Sequence, residues 1–354
     1  MRDNYRETVQ HQGTPERFTG ELAAKSKAAV LATLKATGHL SRQNLTGFDL
    51  SGLDLAGIDL TGAWMENANL TGANLEGANL TEAVLARADL TNTKLNEANL
   101  TKASFALAKL TGTKANGANF TQAILEKTEF DGAELKKATI DQARLTEATF
   151  RETDLSQARF GQISFIKADL QGVRFAGADL TQCNLIECDL RGVDFRGAIL
   201  DQTNFLDCNG EGAVFAEANL TKARFVQNCR LSKCDFRGAI MNSCNLRATV
   251  MSECDFSDAQ LSGSDLSDSD LTKSSLDRVV ARGSLFVKTC LADVTLKKAD
   301  LMQAILLAAD VRGARFIDTN LYGADLASIH RSDSTVFEGV NSKKARTVPA
   351  RVET

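Results

Sequence analysis

Hydrophobic residues return along most of this chain at every fifth position. The stretch ANLTGANLEGANLTEAVLARADL, residues 68–90, places leucine at 70, 75, 80, 85 and 90. A helical face returns every 3.6 residues and a strand face every 2, so neither element alone carries this pattern. Stepping by five from Leu45, the register holds to Phe225, takes one extra residue within VQNCRL, and runs on from Leu231 to Leu326. Of the 57 centres, 49 are Leu or Phe, and only Ala115, Gly210 and Ala281 lack a large apolar group. Two residues before the centre a small residue (Ala, Thr, Cys or Ser) stands in 48 of the 57 repeats, so a second inward position sits beside each large one.

A period of five with two inward positions fits a coil that turns a corner every five residues. Each side is a short extended run, and the corner follows. Glycine two residues after the centre, as at Gly52, Gly57, Gly62, Gly72 and Gly77, suits such corners because it takes positive φ cheaply. Asp or Asn occupies the position before the centre in 28 repeats, where its side chain can bond local backbone. The two prolines, Pro15 and Pro349, both fall outside the repeats, as expected of backbone that must bond to neighbouring coils.

The A(D/N)LXX pattern over residues 41–330 resembles the pentapeptide-repeat family. That resemblance implies an all-β solenoid: a right-handed quadrilateral β-helix, one pentapeptide per side and four per coil. The repeats would then make about 14 coils stacked at strand spacing, a rod of about 65–70 Å. Contacts would reach only adjacent coils, so stability is expected to be nearly one-dimensional.

Residues 1–40 leave the repeat. TPERFTGELAAKSKAAVLATLKATGHL reads as a helix, with Thr14 as cap, Pro15 at the first position, an apolar face of Phe18, Leu22, Ala29, Val30 and Leu34, and Gly38 as the stop. Its expected role is to cover the open end of the solenoid. Residues 331–354, ending in NSKKARTVPARVET, read as a polar, basic and partly disordered tail.

Charge and composition exclude several classes. Net charge is −4 over 354 residues, which leaves no footprint for direct nucleic-acid binding. No apolar run is long enough for membrane insertion. The opening MRDNYRETVQHQG lacks the apolar core of a signal peptide, and with eight cysteines the expected location is a reducing cytoplasm. The three histidines, His11, His39 and His330, lie at or beyond the ends of the repeats, so no catalytic constellation can be built within them. Seven cysteines (183, 188, 208, 229, 234, 244 and 254) take the small inward position, and Cys290 sits one residue later. Their spacing of five is the repeat rather than a metal spacing, so they read as small buried groups. No catalytic, cofactor-binding or metal residue is assigned. Gln122, Gln142, Gln162, Gln182 and Gln202 recur every 20 residues and are expected to stack as an amide ladder.

Sorting outward positions by side singles out one wall. The residue after the centre gives Ile166, Ile186, Leu206, Val226, Val287 and Leu307 there, and the residue before it adds Trp64, Val84, Ile124, Leu285 and Ile305. Arg247 and Ser267 interrupt the row. Such a stripe marks a protein-interaction or self-association surface. The functional expectation is a non-catalytic protein–protein interaction scaffold. The N-terminal helix followed by GFDLSGLDLAGIDLTGA is similar to the pentapeptide modules of bacterial type VI secretion accessory proteins, which implies an accessory or effector-loading role. The rival readings are a gyrase- or topoisomerase-binding DNA mimic, like the quinolone-resistance pentapeptide proteins, and a metal or redox protein using the cysteines. Interspersed Lys and Arg speak against the first rival, and the inward cysteines against the second.

Overall fold

The computed structural model describes residues 27–348. They form one β-solenoid entered by helix α1 (Lys27–Thr37). Away from the inserted residues, the residue before a centre bridges its counterpart 20 residues on, in parallel, along nearly the whole rod: Asn44 to Trp64, Trp64 to Val84, Asp49 to Asn69, Asp54 to Asn74, Asp59 to Asn79. Four pentapeptides therefore close one coil. The centre's N–H donates forward to the next coil, as Leu70 does to the Asp89 carbonyl at 2.7 Å. The residue before it donates back, as Asn69 does to the Phe48 carbonyl at 2.9 Å.

The core is the tube. Leu45, Leu70, Phe105, Phe165, Leu180 and Leu246 are fully buried, and so are small partners such as Ala63, Ala88 and Ala178. Phe195, Phe215, Phe236 and Phe256 stack face to face down one wall at 4.8–4.9 Å, which is the coil spacing itself.

Corners are tight turns in which the residue three after a centre's position donates to the centre's carbonyl, as Ala68 N–H does to Met65 at 3.0 Å. The third turn residue has positive φ, the geometry of a type II turn. Glycine fills it at the expected sites, for instance Gly52 and Gly72. Elsewhere it is Gln, Lys, Glu or Arg, such as Gln122 at φ 59° and Lys102 at φ 59°. The ladder bonds on both sides hold these side chains in a conformation that isolated L-residues avoid. Asp and Asn before the centre accept from the N–H two residues on, as Asp59 does from Thr61 at 2.9 Å, the local bond expected of them.

Three features differ from or extend the sequence reading. First, the solenoid does not stop at Leu326. Strand β5 (Arg315–Ile317) pairs with β6 (Val336–Glu338), and Asp325 bridges Arg346, so the expected tail from residue 331 is, through Val348, a further coil. A second extra residue lies between His330 and Val336, where the spacing changes from 20 to 21. It is taken up by a turn in which Thr335 N–H donates to the Ser332 carbonyl at 3.0 Å. That shift hid the coil from a strict count by five. Phe337 then stacks on Phe316 at 4.7 Å.

Second, the first extra residue falls at Gln227 and Asn228, consecutive residues with φ of 53° and 59°. Gly210, one coil earlier, leaves no hole. A Cβ there would lie 2.9 Å from Leu231 Cδ2, because the leucine of the next coil fills the vacant space. Third, α1 covers the N-terminal end as expected. Val30 is fully buried, Leu34 packs on the core, and Gly38 at φ 74° ends the helix with its N–H on the Leu34 carbonyl at 2.8 Å. The expected cap at Thr14 and the apolar positions Phe18 and Leu22 lie outside the described residues, as do residues 349–354.

Candidate interaction face

The eleven stripe residues lie on one wall, and each is half-buried. They form two groups with different backbones. Ile166, Ile186, Leu206 and Val226 end four short strands: β1 (Ser164–Ile166), β2 (Asn184–Ile186), β3 (Asn204–Leu206) and β4 (Arg224–Val226). These strands make a parallel sheet in order β1-β2-β3-β4, with the four aliphatic residues in direct register. The centre of each strand, Phe165, Leu185, Phe205 or Phe225, is fully buried. Alternation then turns its two neighbours outward. Half-burial is what an outward ladder gives, since each side chain hides its neighbour's flank.

Val287 and Leu307 sit instead in ordinary corners. Trp64, Val84 and Ile124 belong to the same bridge column further up, which is interrupted between Arg144 and Ser164. Leu285 and Ile305 bridge each other further down. The stripe is therefore three patches. Arg247, ion-paired with Asp268 at 2.8 Å, and the buried Ser267 separate the middle patch from the last.

The middle patch has mixed borders, in which amides stand beside Asp201 and Lys222 at the preceding corner and Lys167, Glu187 and Asp207 at the following one. Asn204 donates its amide to Asn184 at 2.9 Å, and Asn184 to the Ser164 hydroxyl at 3.1 Å. Along the preceding corner the glutamine ladder forms in part: Gln122 to Gln142 at 2.8 Å, Gln162 to Gln182 at 2.9 Å, and Gln182 to Gln202 at 3.4 Å. At the following corner Lys167 pairs with Glu187 at 3.4 Å. Arg224 is the single cation within the sheet.

The other walls carry many of their charges as matched pairs. In DLR, DFR, DFR and DVR segments, Asp189, Asp194, Asp235 and Asp310 each clasp the arginine two residues on, Arg191, Arg196, Arg237 and Arg312, with Nη2–O distances of 2.5–2.6 Å. Hydrogen bonds from these guanidinium groups hold the four carboxyls below the ordinary aspartate range. Sequence reading did not anticipate this clasp; the D-x-R spacing around a centre was its signal.

The seven inward cysteines are buried and free, and Cys290 is half-buried. Each inward thiol donates to a carbonyl of the preceding coil: Cys183 to Phe160 at 3.1 Å, Cys208 to Leu185 at 3.2 Å, Cys244 to Leu220 at 2.9 Å. Most Thr and Ser at the same inward position do likewise, as Thr93 to Leu70 and Thr203 to Leu180, both at 2.8 Å. Burial pushes the Cys183 and Cys244 thiols up to about 12. The neighbouring thiol Cys188 and burial do the same to Cys208. Such thiols keep their protons at neutral pH. No group of three or more His, Cys, Asp or Glu side chains suited to a metal ion occurs among the described residues. His39 and His330 lie at opposite ends: His39 Nδ1 is 2.8 Å from the Ser41 hydroxyl, and His330 bridges Asp310. No described helix is long and apolar enough to cross a membrane.

Similar solved structures include HetL, a pentapeptide repeat protein involved in heterocyst differentiation regulation from the cyanobacterium Nostoc sp. strain PCC 7120. It is 24% identical over 69% of this chain and 94% of its own, with a TM-score of 0.30. QnrB1, a plasmid-mediated fluoroquinolone resistance protein, is 18% identical over 62% of this chain and 91% of its own, with a TM-score of 0.35. A pentapeptide repeat protein of the Arabidopsis thaliana thylakoid lumen is 28% identical over 39% of this chain and 68% of its own, with a TM-score of 0.20. No curated protein sequence matches it. The family profile described as "Pentapeptide repeats" matches residues 39–182 and 229–328 in successive copies, and that described as "Pentapeptide repeat region" matches residues 178–236. With its five-residue register, four-sided coils and these matches, the chain belongs to the pentapeptide-repeat family.

Proposed function

We propose that this protein is a non-catalytic scaffold that docks a protein partner on the wall built by β1–β4. The observation that carries the reading is the in-register row Ile166, Ile186, Leu206 and Val226. It is an aliphatic ridge on a sheet flanked by amides and a few charged corner residues such as the Lys167–Glu187 pair, while the other walls hold Asp–Arg pairs. Desolvating that ridge costs little, and contact with an apolar partner surface gains about 25 cal/mol per Å² buried. The thiols support no catalytic or metal role, because each inward one is buried and hydrogen-bonded to backbone. Matched ion pairs on the remaining walls favour a protein partner over nucleic acid.

The test is the double substitution Ile186→Asp with Leu206→Asp. Neither side chain fills the tube, so circular dichroism should match the parent. Affinity capture from the source cell with parent and variant as baits should then lose the partner with the variant. A folded variant that retains every captured protein refutes the docking wall, and an unfolded one refutes the outward assignment. The captured protein also separates the narrower roles: a secretion-assembly component for the accessory reading, or a topoisomerase for DNA mimicry. The cell fraction that holds the complex tests the cytoplasmic expectation.

A further inference from the structure

The two ends of the solenoid differ. At the N-terminal end α1 lies on the first coil, with Val30 fully buried. In the last coil, residues 327–348, there is instead a cavity of about 550 Å³. Its apolar wall is Leu321, Leu326, Ile329, Phe337 and Val340, and Arg331 lines it as the charged group. Phe337 stacks on Phe316 on one side yet stays 38% exposed. A volume of this size holds several side chains.

The same end carries an open strand edge. β6 pairs with β5 alone. By the ladder rule of the earlier coils, the N–H groups of Gly339, Ser342 and Lys344 and the carbonyls of Val340 and Ala345 face away from the coil beneath. None of these groups has a backbone partner among the described residues. The rim is basic. Arg331, Lys343 and Lys344 enter no ion pair among the described residues, and Lys344 Nζ lies 5.4 Å from the centre of the Tyr322 ring. Asp333 and Glu338 are the acids of this coil.

We propose that this end is a strand-addition site for an extended peptide that alternates apolar side chains with carboxylates. The open edge selects extended backbone along one side of the coil at a time, because only a strand presents N–H and C=O groups at the matching spacing, and the Ser342–Ala345 turn puts Lys344 and Ala345 round the next corner. Alternation sends every second side chain into the apolar cavity and leaves the others at the rim. The basic rim then selects carboxylates among those outer side chains. Charge also decides against a second copy meeting this one end to end, since that would bring two basic rims together. The site is separate from the β1–β4 wall, so each stands or falls alone.

The probe is a fluorescein-labelled peptide, Glu-Val-Glu-Val-Glu-Leu-Glu, titrated with the full chain and followed by fluorescence anisotropy at low salt. Binding is expected at about 10–100 µM. Arg331→Glu, and separately Lys343→Glu with Lys344→Glu, should each weaken it at least about tenfold, because repulsion replaces attraction at the rim. These side chains lie outside the tube, so circular dichroism should stay unchanged. N-methylating alternate backbone nitrogens of the peptide should abolish binding, because strand pairing needs those donors. A peptide that stays free at about 1 mM protein overturns the proposal. So does binding that ignores both charge reversal and N-methylation, which would be apolar adhesion. Sedimentation showing a dimer that the peptide cannot dissociate overturns it too, since a second copy would then be the occupant.

Discussion

Phe205 offers the sharpest test of how the tube is held together. It is the centre of β3 and fully buried. Its ring stacks on Phe225 with centroids 4.4 Å apart and planes at 3°, and it meets Phe195 and Phe215 edge-on at 6.3 and 6.2 Å. Phe205→Ala removes a whole buried ring from a core with no slack, and such truncations cost about 3–5 kcal/mol. The stacked pair with Phe225 supplies about 0.5–1.5 kcal/mol of that. Where the loss is felt depends on topology. Nearly all tertiary contacts run between adjacent coils, so the penalty should fall on the coils around β3 rather than on the whole rod. Native-state hydrogen exchange resolves this. Protected amides of β2, β3 and β4 should exchange about a hundred- to several thousandfold faster, while the Leu70 and Leu80 amides of the early coils keep the parent rate. Equal acceleration at Leu70 and at β3 would refute the one-dimensional picture and show a single cooperative unit. No acceleration anywhere would refute the inward placement of Phe205.

Two further outcomes follow from the inward thiols and the aspartate–arginine clasps. Cys208→Ala should change stability by less than about 1 kcal/mol, since alanine fills the same position elsewhere and only weak thiol bonds to the Leu185 and Leu206 carbonyls are lost. Loss of folding, or of a stoichiometric metal from the purified protein, would overturn the structural reading of the cysteines. For acid, Asp189, Asp194, Asp235 and Asp310 have carboxyls held below 3.8 in the fold. Their stabilisation is therefore complete above that value and lost as pH falls through the lower folded values. Thermal melts should be flat from pH 7 to about 5 on this account and decline below about 4. Replacing the four arginines, Arg191, Arg196, Arg237 and Arg312, with Gln should shrink the decline, and a decline of equal size would refute the assignment. The clasps are exposed pairs, weak and screened by salt, so the effect should be gradual.

The coil was legible in the amino-acid order, because a solenoid's long-range contacts repeat a local rule. Leu70, Leu75, Leu80 and Leu85 each meet the same environment, so five residues carry the information that a globular fold spreads over distant segments. The inward cysteines, the corner glycines and the outward wall of Ile166, Ile186, Leu206 and Val226 were legible for the same reason. What lay beyond a strict period was not. Only the tertiary structure showed that the coil carries on past Leu326, because an inserted residue shifts the count while Phe337 still finds Phe316 above it. Only packing showed that Leu231 fills the space Gly210 leaves. The cause is the same in each case: register along the chain is a local property, whereas a neighbour's side chain can mend a broken register only across the gap between coils. The open, basic end of the last coil belongs with these, since a cavity exists only where neighbouring coils leave one.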